Sequence, residues 1–540
     1  MMTRLYIPEI RLGLDEHEDC LHERIVELLA VDPEALGPWQ VRRKSLDTRS
    51  RAAVRRVFGV EVEVSDSVVT PELRRRFGRL PKRALPAASL PQPRRNPVHP
   101  VVIVGAGPAG LFCAQRLVDA GVPVILLDRG KPIRERARDC KAFRKVGALN
   151  PESNIQFGEG GAGTYSDGKL TYRTDDPLAA YVLETFIRYG ADPEIRYLSR
   201  PHIGTEHLRA CIVRMSKGLE DGGARLCFNS RLEGIISQER GGTRRLSAVT
   251  LGTGQELPAE FAVLALGHSA RDTFLQLYAQ GLPVIPKAFA VGVRTEHPQE
   301  IIDRSQYGVH ACDARLPRAS YALSRKVRVD TERGVYSFCM CPGGEVMACS
   351  SEPGGVVTNG MSYSVQRSGY ANSGIVVSLS PADYGGSEQD PFAGVRFQRR
   401  LEEAAFALGG SDYRAPAQRI SDFLRKRTSG AIGVHATTYR PGVTEADLRT
   451  ILPSFVIAGL EQAFPVFGSR IPGYASELGI MVGVESRTSS PIRIPRGDDL
   501  QAVGWDGLYP MGEGAGYAGG IVSAAVDGVR AADAIINRLS

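Results

Sequence analysis

Cysteine is sparse in this chain of 540 residues: nine in all, an odd number, scattered from Cys20 to Cys349. With no CxxC pair and no His/Cys cluster at zinc spacing, neither a disulfide framework nor a metal centre is expected. The one close pair, Cys339 and Cys341 in SFCMCPGG, would share a face of a strand. Ordinary packing is the plainer expectation for it, with redox chemistry the alternative. Long apolar runs are missing too. Stretches such as HPVVIVGAG and AEFAVLALG stay under about ten residues, where a membrane-spanning helix needs roughly 20, and the N-terminus has no apolar h-region. A soluble, cytoplasmic protein with no membrane partner is expected.

Charge of one sign is not in large excess either. The net charge of +7 is small for this length, but it is unevenly placed. Between Arg42 and Arg95 stand fifteen Lys or Arg against five Asp or Glu. Such a stretch can touch nucleic acid or an acidic partner; a solvated face followed by an Arg-rich linker is the simpler reading. An apolar content of 43% permits large cores and roughly three or four domains.

Residues 1–70 read as a small α+β module. RLYIPEIRL is a strand, DEHEDCLHERIVELLAV keeps Leu21, Ile25, Leu28 and Leu29 at a helical period, and WQVRRKSLDTR and FGVEVEVS are two further strands. Residues 71–100, rich in Pro and Arg with little periodic apolar content, read as a linker.

The body opens on VVIVGAGPAGLFCAQRLVDAGVPVILLDRG. An apolar strand, Val101 to Val104, enters Gly105-Ala106-Gly107-Pro108-Ala109-Gly110, a helix follows, and a second apolar strand ends at Asp128 and Arg129. That is the full context of a dinucleotide fingerprint. Gly105 permits the tight turn, Gly107 lets the backbone approach a pyrophosphate, and Gly110 lets helix and strand pack closely. The helix N-terminus supplies N–H donors and positive dipole, and Asp128 is placed to accept ribose hydroxyls.

The far end of the chain selects FAD over NAD. In GLYPMGEGAGYAGGIVSAAVDGVRAADAIINRL a short strand leads through Gly512 and Glu513 into Gly519, Gly520 and a long helix beginning near Ile521. Glu513 would accept hydroxyls of a ribitol, and the first amides of that helix would face the polar edge of an isoalloxazine. GARLCFNSRLEGI and AEFAVLALGHSAR read as strands that complete the nucleotide domain, with Leu232 at the edge of an adenine site and Gly267 where the backbone passes the cofactor.

NIQFGEGGAGTYSDGKL, LGHSARDT, SFCMCPGGEV, NGMS, GVESRTSSPIRI and YPMGEGAGYAGGI, in that order, resemble a family of bacterial FAD-dependent dehydrogenases with relatives in plastids. The resemblance spans nearly the whole chain. It implies an α/β fold: a glutathione-reductase-like, Rossmann FAD-binding domain, an inserted mixed α+β substrate lobe and a small N-terminal ferredoxin-like module. Family membership names no substrate. On this reading the FAD domain comprises residues 101–281 and 442–540 and the substrate lobe 282–441.

No second strand-glycine-helix unit follows residue 170, so NAD(P)H would bind transiently beside the flavin or not at all. No CxxxxC pair stands near the fingerprint and no GWxWxIP segment occurs, which argues against a disulfide reductase and a halogenase. Arg294, Asn359, Ser362, Tyr474, Glu485 and Arg487 are candidate polar groups for the pocket. Glu485 and Arg487, on one face if their stretch is a strand, would anchor a carboxylate or orient an amine. His268 is a candidate acid or base because the ordinary imidazole pKa lies near working pH, and Arg271 would bind a pyrophosphate or a carboxylate between lobes. Two other classes stay open: an RNA-associated flavoprotein of the tRNA-modifying type, docking through residues 42–95, and a non-catalytic FAD-binding protein.

GEGGAGTYSDGKL imitates a second fingerprint, but no apolar strand precedes it and no periodic helix follows. The expectation is a wall of the same FAD site, with Gly160, Gly161 and Gly163 against the cofactor and Ser166 and Lys169 as polar partners.

Overall fold

A computed structural model describes residues 1–50, 52–79, 89–171, 176–432 and 437–540. Residues 80–88 of the expected linker, and Arg51, Lys82 and Arg83 of the basic stretch, lie outside the described residues. The chain divides into two compact units: 1–88 with 169–203 and 303–319, and 89–168 with 204–302 and 320–540.

The first unit is built on a three-stranded antiparallel sheet in the spatial order Met2–Leu12, Arg55–Ser65, Leu36–Asp47. Alternation in the outer and central strands puts Leu5, Ile7, Leu12, Phe58, Val60, Val62 and Val64 on one face, where they meet Leu21, Ile25 and Leu29 of the helix Cys20–Leu29. The register shifts between Ile7 and Ile10, at Pro8, which has no N–H for the ladder. Part of the expected linker is a helix, Pro71–Phe77. Its start is dictated locally: the Thr70 side chain accepts from Leu73 N at 3.2 Å and Pro71 occupies the first turn. The unit also takes in two later segments of chain, which no local pattern announces.

Four cations of the basic stretch in this unit are held in ion pairs. Arg42 pairs with Glu61 at 3.0 Å, Lys44 with Glu18 at 3.0 Å and Glu194 at 3.3 Å, Arg49 with Asp47 at 2.6 Å, and Arg56 with Glu18 at 3.4 Å.

The second unit contains a five-stranded parallel sheet in the order Leu508–Pro510, Ala262–Leu264, Val101–Val104, Val124–Leu127, Arg225–Cys227. Every residue of the strands at 101–104 and 124–127 is buried, as expected for a parallel sheet covered on both faces. The helices Pro108–Asp119 and Ile521–Arg538 pack closely enough that a Cβ at Gly528 would run into the Ala109 carbonyl. This is a Rossmann-type α/β arrangement.

The unit also contains, beside smaller sheets, a seven-stranded sheet in the order Ser324–Arg328, Glu332–Cys341, Tyr370–Leu379, Phe289–Pro298, Ile480–Glu485, Ala415–Arg419, Val443–Glu445. It draws on chain well past residue 441, because its middle strand, Phe289–Pro298, pairs with Ile480–Glu485 nearly two hundred residues on. Among the described residues no helix is long and apolar enough to cross a membrane.

Candidate functional site

The carboxyl ends of the parallel strands at Val104, Asp128, Ala265 and Met511 open into a cavity of about 220 Å³ in the second unit, the position in which open α/β sheets bind their ligands. Gly105, Gly107, Pro108 and Ala109 line one side. Gly105 has φ +108°, outside the range of most side-chain-bearing residues. Asp128 holds the loop: one carboxylate oxygen accepts from Ala106 N and the other from Gly130 N, each at 2.8 Å. Ala106 is buried behind the wall. Gly110 also lies outside the lining, where a Cβ would collide with the Gly105 carbonyl.

The Gly158–Ser166 loop is another wall of this cavity. Gly160 N donates to Ala106 O at 2.7 Å, and Gly161, Ala162, Gly163 and Ser166 line the space. The backbones of Gly107 and Gly161 face each other closely enough that a Cβ on Gly161 would press on Gly107 Cα. Gly160 packs behind, against Thr164 and Ile212, and Ser166 Oγ donates to Gly163 O at 2.7 Å. Lys169 is not among the lining residues; it belongs to the first unit and bridges to His202.

The loop's shape comes from a residue that sequence reasoning missed. Arg136, fully buried on the helix Ile133–Val146, donates to Asn154 O, Ile155 O, Glu159 O and Gly161 O at 2.7–2.9 Å and to Thr164 Oγ1 at 2.8 Å. No sequence signal marked it, since an arginine in a charged helix reads as surface.

Gly512, Glu513, Gly519, Gly520 and Ile521 all line the cavity. Gly512 N donates to Asp527 Oδ2 at 2.7 Å, and Asp527 pairs with Arg496 at 2.6 Å. The first turn of Ile521–Arg538 faces the cavity with its free N–H groups. Burial pushes the Glu513 carboxyl up to about 7, against the pull of Lys287 and with a further push from Cys339. Leu232, Gly267 and Arg129 also line the cavity. Arg129 lies 4.4 Å over the Phe157 ring and is fixed by Glu152 at 2.8 Å and Asp272 at 2.7 Å.

The lining also takes in Phe338, Cys339 and Asn359 from the seven-stranded sheet and its neighbour, with Gln156, His268, Ser269, Arg487 and Thr488. Arg487 is held by Glu402 at 2.7 and 2.9 Å and by Ser351 Oγ at 2.6 Å. Arg271 is held by Glu402 at 2.8 Å and Glu352 at 2.6 Å, so of its two expected partners the structure supplies carboxylates. Burial would raise the Glu402 carboxyl, but Arg271 and Arg487 hold it well below the usual range. His268 is driven the other way from expectation: burial, Arg487 and Arg271 lower its imidazole to about 3. Burial acts first and the two guanidiniums add to it, so this environment favours the neutral ring.

Glu485 and Arg487 do not act as a pair. The strand ends at Glu485, so alternation stops there. Glu485 turns to the fully buried Arg294 at 2.7 and 2.9 Å, away from the cavity lining. Arg294 also donates to Asn372 Oδ1 at 2.8 Å and Cys339 O at 3.2 Å. Tyr474 is buried with its hydroxyl 3.0 Å from Thr295 Oγ1, and Ser362 is bonded to Asp167. Cys339 and Cys341 do not share a face: the register shifts between Phe338 and Cys341 and Cys339 takes φ +47°. That bulge leaves Cys339 on the cavity wall and Cys341 buried, with Sγ 3.3 Å from Cys339 O. Among the described residues no group of His, Cys, Asp and Glu is placed to hold a metal.

Bare glycine backbone on two facing loops, a carboxylate beyond the second strand and a helix N-terminus at the far end suit a long dinucleotide with a central pyrophosphate. The cavity thus belongs to an FAD-dependent oxidoreductase. Family models described as "FAD binding domain" and "FAD-dependent protein, C-terminal domain-like" match residues 99–141 and 288–488, and FAD is the cofactor. A protein of Clostridium beijerinckii named "Uncharacterized protein" is 39% identical over 542 residues, covering 98% of each chain. The chain belongs to the same family as that protein. Similar solved structures include E. coli quinol fumarate reductase FrdA, 10% identical over 82% of this chain and 71% of that one, TM-score 0.36. L-proline dehydrogenase from P. horikoshii is 11% identical over 84% and 94%, TM-score 0.32. P. aeruginosa PqsL is 14% identical over 82% and 86%, TM-score 0.29. None of the three reaches a TM-score from which shared geometry follows.

Proposed function

We propose that this protein is a dehydrogenase or reductase that moves two electrons between FAD and a small organic substrate. The observation that carries the reading is the continuity of one cavity from Gly107 and Asp128 to Phe338, Cys339, Asn359 and Arg487. A cofactor held at the first group of residues and a substrate held at the second would meet inside it.

In this reading the FAD domain is glutathione-reductase-like. Gly105, Gly107, Gly161 and Gly163 give room to the pyrophosphate, Asp128 accepts from the ribose, and Glu513 hydrogen-bonds the ribitol. The N–H groups at Ile521 stabilise charge at the flavin's polar edge. Bound FAD supplies the two-electron chemistry. Arg487, pinned by Glu402 and Ser351, keeps a fixed cationic group at the substrate end, while Phe338 and Cys339 shield that end from water. NAD(P)H, if it is the partner substrate, binds transiently at the same end. We read the first unit as ferredoxin-like: its strand order and its helices after the first and third strands follow that pattern without a fourth strand. The setting proposed is the cytoplasm.

The test is anaerobic titration of the FAD-loaded protein with NADH, NADPH, amines and unsaturated acids, followed at the flavin absorbance. Bleaching by a member of the panel is expected. A flavin that dithionite reduces but that no organic donor reduces, and that passes electrons to no organic acceptor once reduced, would overturn the proposal.

A further inference from the structure

His268 lines the cavity and is half-buried, and its neighbours decide which nitrogen carries the proton. Nδ1 lies 2.9 Å from Ser269 Oγ. Ser269 Oγ receives a hydrogen bond from Arg487 Nη1 at 3.0 Å, and a guanidinium accepts nothing in return. The single hydroxyl proton of Ser269, a residue 4% exposed, therefore has His268 Nδ1 as its acceptor. In the opposite tautomer, Nδ1–H would point at Oγ, and the serine proton would have no acceptor among the described residues. The neutral ring carries its proton on Nε2, the nitrogen the protein leaves to the cavity.

Burial first, and then the two cations beside the ring, keep it in that state. Arg487 and Arg271 face it as cations and Glu402 as the opposing anion, and Glu402 is engaged by both arginines. The platform is tied down on every side: Arg487 to Ser351, Arg271 to Gln398 at 2.9 Å, and Ser486 Oγ to Glu402 at 2.8 Å. A neutral imidazole with a fixed tautomer, held on a rigid support, can present a hydrogen bond without exchanging its proton.

We propose that His268 is a fixed neutral hydrogen-bond donor, presenting Nε2–H to a carbonyl or carboxylate oxygen of the molecule bound in this cavity. It is a recognition group for an oxygen acceptor, not an acid or base. A protonated amine at this point would set N–H against N–H, so the geometry selects acids and carbonyl compounds over amines. The ligand class rests on the functional reading above; the tautomer does not. The acceptor oxygen belongs either to the substrate or to the cofactor, and the two differ in what a variant loses.

The first arm is nitrogen-15 NMR of the histidine side chains in the FAD-loaded protein, with the His268 signals identified among the nine histidines by their loss in His268→Asn. The expected result is a bare Nδ1 and a protonated Nε2, unchanged from about pH 5 to about pH 9. Ser269→Ala, which removes the donor to Nδ1, should mix the tautomers. An Nδ1-protonated ring, or a ring that titrates in that window, overturns the proposal. The second arm measures FAD content and the flavin spectral response to benzoate, pyruvate and benzylamine in His268→Ala and His268→Asn. If the oxygen is the substrate's, His268→Ala weakens benzoate and pyruvate by about tenfold with FAD content retained, and Asn, which keeps an N–H, recovers most of it. If it is the cofactor's, His268→Ala loses FAD instead. Unchanged FAD content together with unchanged carboxylate binding would refute the donor role, as would benzylamine binding that depends on His268 in the same way. Failure of every donor to bleach the flavin would sink the functional reading and leave the tautomer result standing.

Discussion

Replacing Arg136 by Met keeps an unbranched apolar stem and removes the guanidinium donors to the Gly158–Ser166 loop and the residues before it. Five bonds of 2.7–2.9 Å are lost, to the carbonyls of residues 154, 155, 159 and 161 and to Thr164 Oγ1. Each bond to a charged donor contributes about 1.5–3 kcal/mol, but the sum is not the answer. No carboxylate pairs with Arg136 in these contacts, and its burial already holds its pKa below the ordinary arginine value. Each buried carbonyl left without a donor costs about 1–3 kcal/mol, and with partial relaxation of the loop a total of about 3–5 kcal/mol, the upper range for a single substitution, is the expected loss in Arg136→Met. Arg136→Lys retains the charge but has three donors and no planar fork, so it should lose roughly half as much. The loop carries Gly161 and Gly163 to the cavity wall. If about 3 kcal/mol of loop order must then be restored by the ligand, the FAD Kd rises about a hundredfold. Urea unfolding followed by circular dichroism, with and without FAD, measures both. An Arg136→Met protein within about 1 kcal/mol of the parent and with the same FAD affinity would refute the reasoning.

Gly107→Ala should separate folding from binding. A Cβ there meets only Gly161 Cα, at 3.8 Å, so unfolding free energy should stay within about 1 kcal/mol while FAD affinity, by fluorescence titration, falls about tenfold or more. Glu402→Gln leaves Arg271 and Arg487 without their shared buried carboxylate and should cost about 3–5 kcal/mol in urea; a loss under about 1 kcal/mol would contradict the network's role. For the apo protein, Glu513 has its pKa raised from 4.5 to about 7 by burial. The folded state therefore binds its proton more tightly than the unfolded state. Its contribution to stability is complete below pH 4.5 and is lost as pH rises through 7. Thermal melts of Glu513→Gln should decline less steeply across that window than the parent; parallel curves would count against a buried Glu513.

What the sequence shows and hides follows from how far apart the interacting residues stand. The fingerprint was legible because its strand, glycines, helix and acid form one local run, from Val101 to Asp128. The same holds for Gly512 to Ile521, where a glycine turn and a helix start are written side by side. The loop at 158–166 could be assigned to the same cavity because it lacks the strand that a separate site needs. The polar end was legible only as a set of residue types. Arg271 meets Glu402 across 131 positions, Arg294 meets Glu485 across 191, and strand periodicity predicts neither. For the same reason the parallel sense of an isolated strand, and the membership of Ile480–Glu485 in the seven-stranded sheet, could not be read locally. A bulge at Cys339 and the end of a strand at Glu485 each break the two-residue alternation on which the pairing of Cys339 with Cys341, and of Glu485 with Arg487, rested. His268 was identified as a residue of interest, but its chemistry depends on burial and on two guanidiniums brought beside it by packing.

The central claim is that one cavity holds FAD with the Gly158–Ser166 loop as a wall. A crystal structure of the protein grown with FAD tests it most directly. The pyrophosphate should lie against Gly107 and Gly161, the ribose at Asp128 and the flavin ring beside Gly163 and the amide of Ile521. FAD bound elsewhere, or bound in this cavity with the Gly158–Ser166 loop out of contact, would contradict the account.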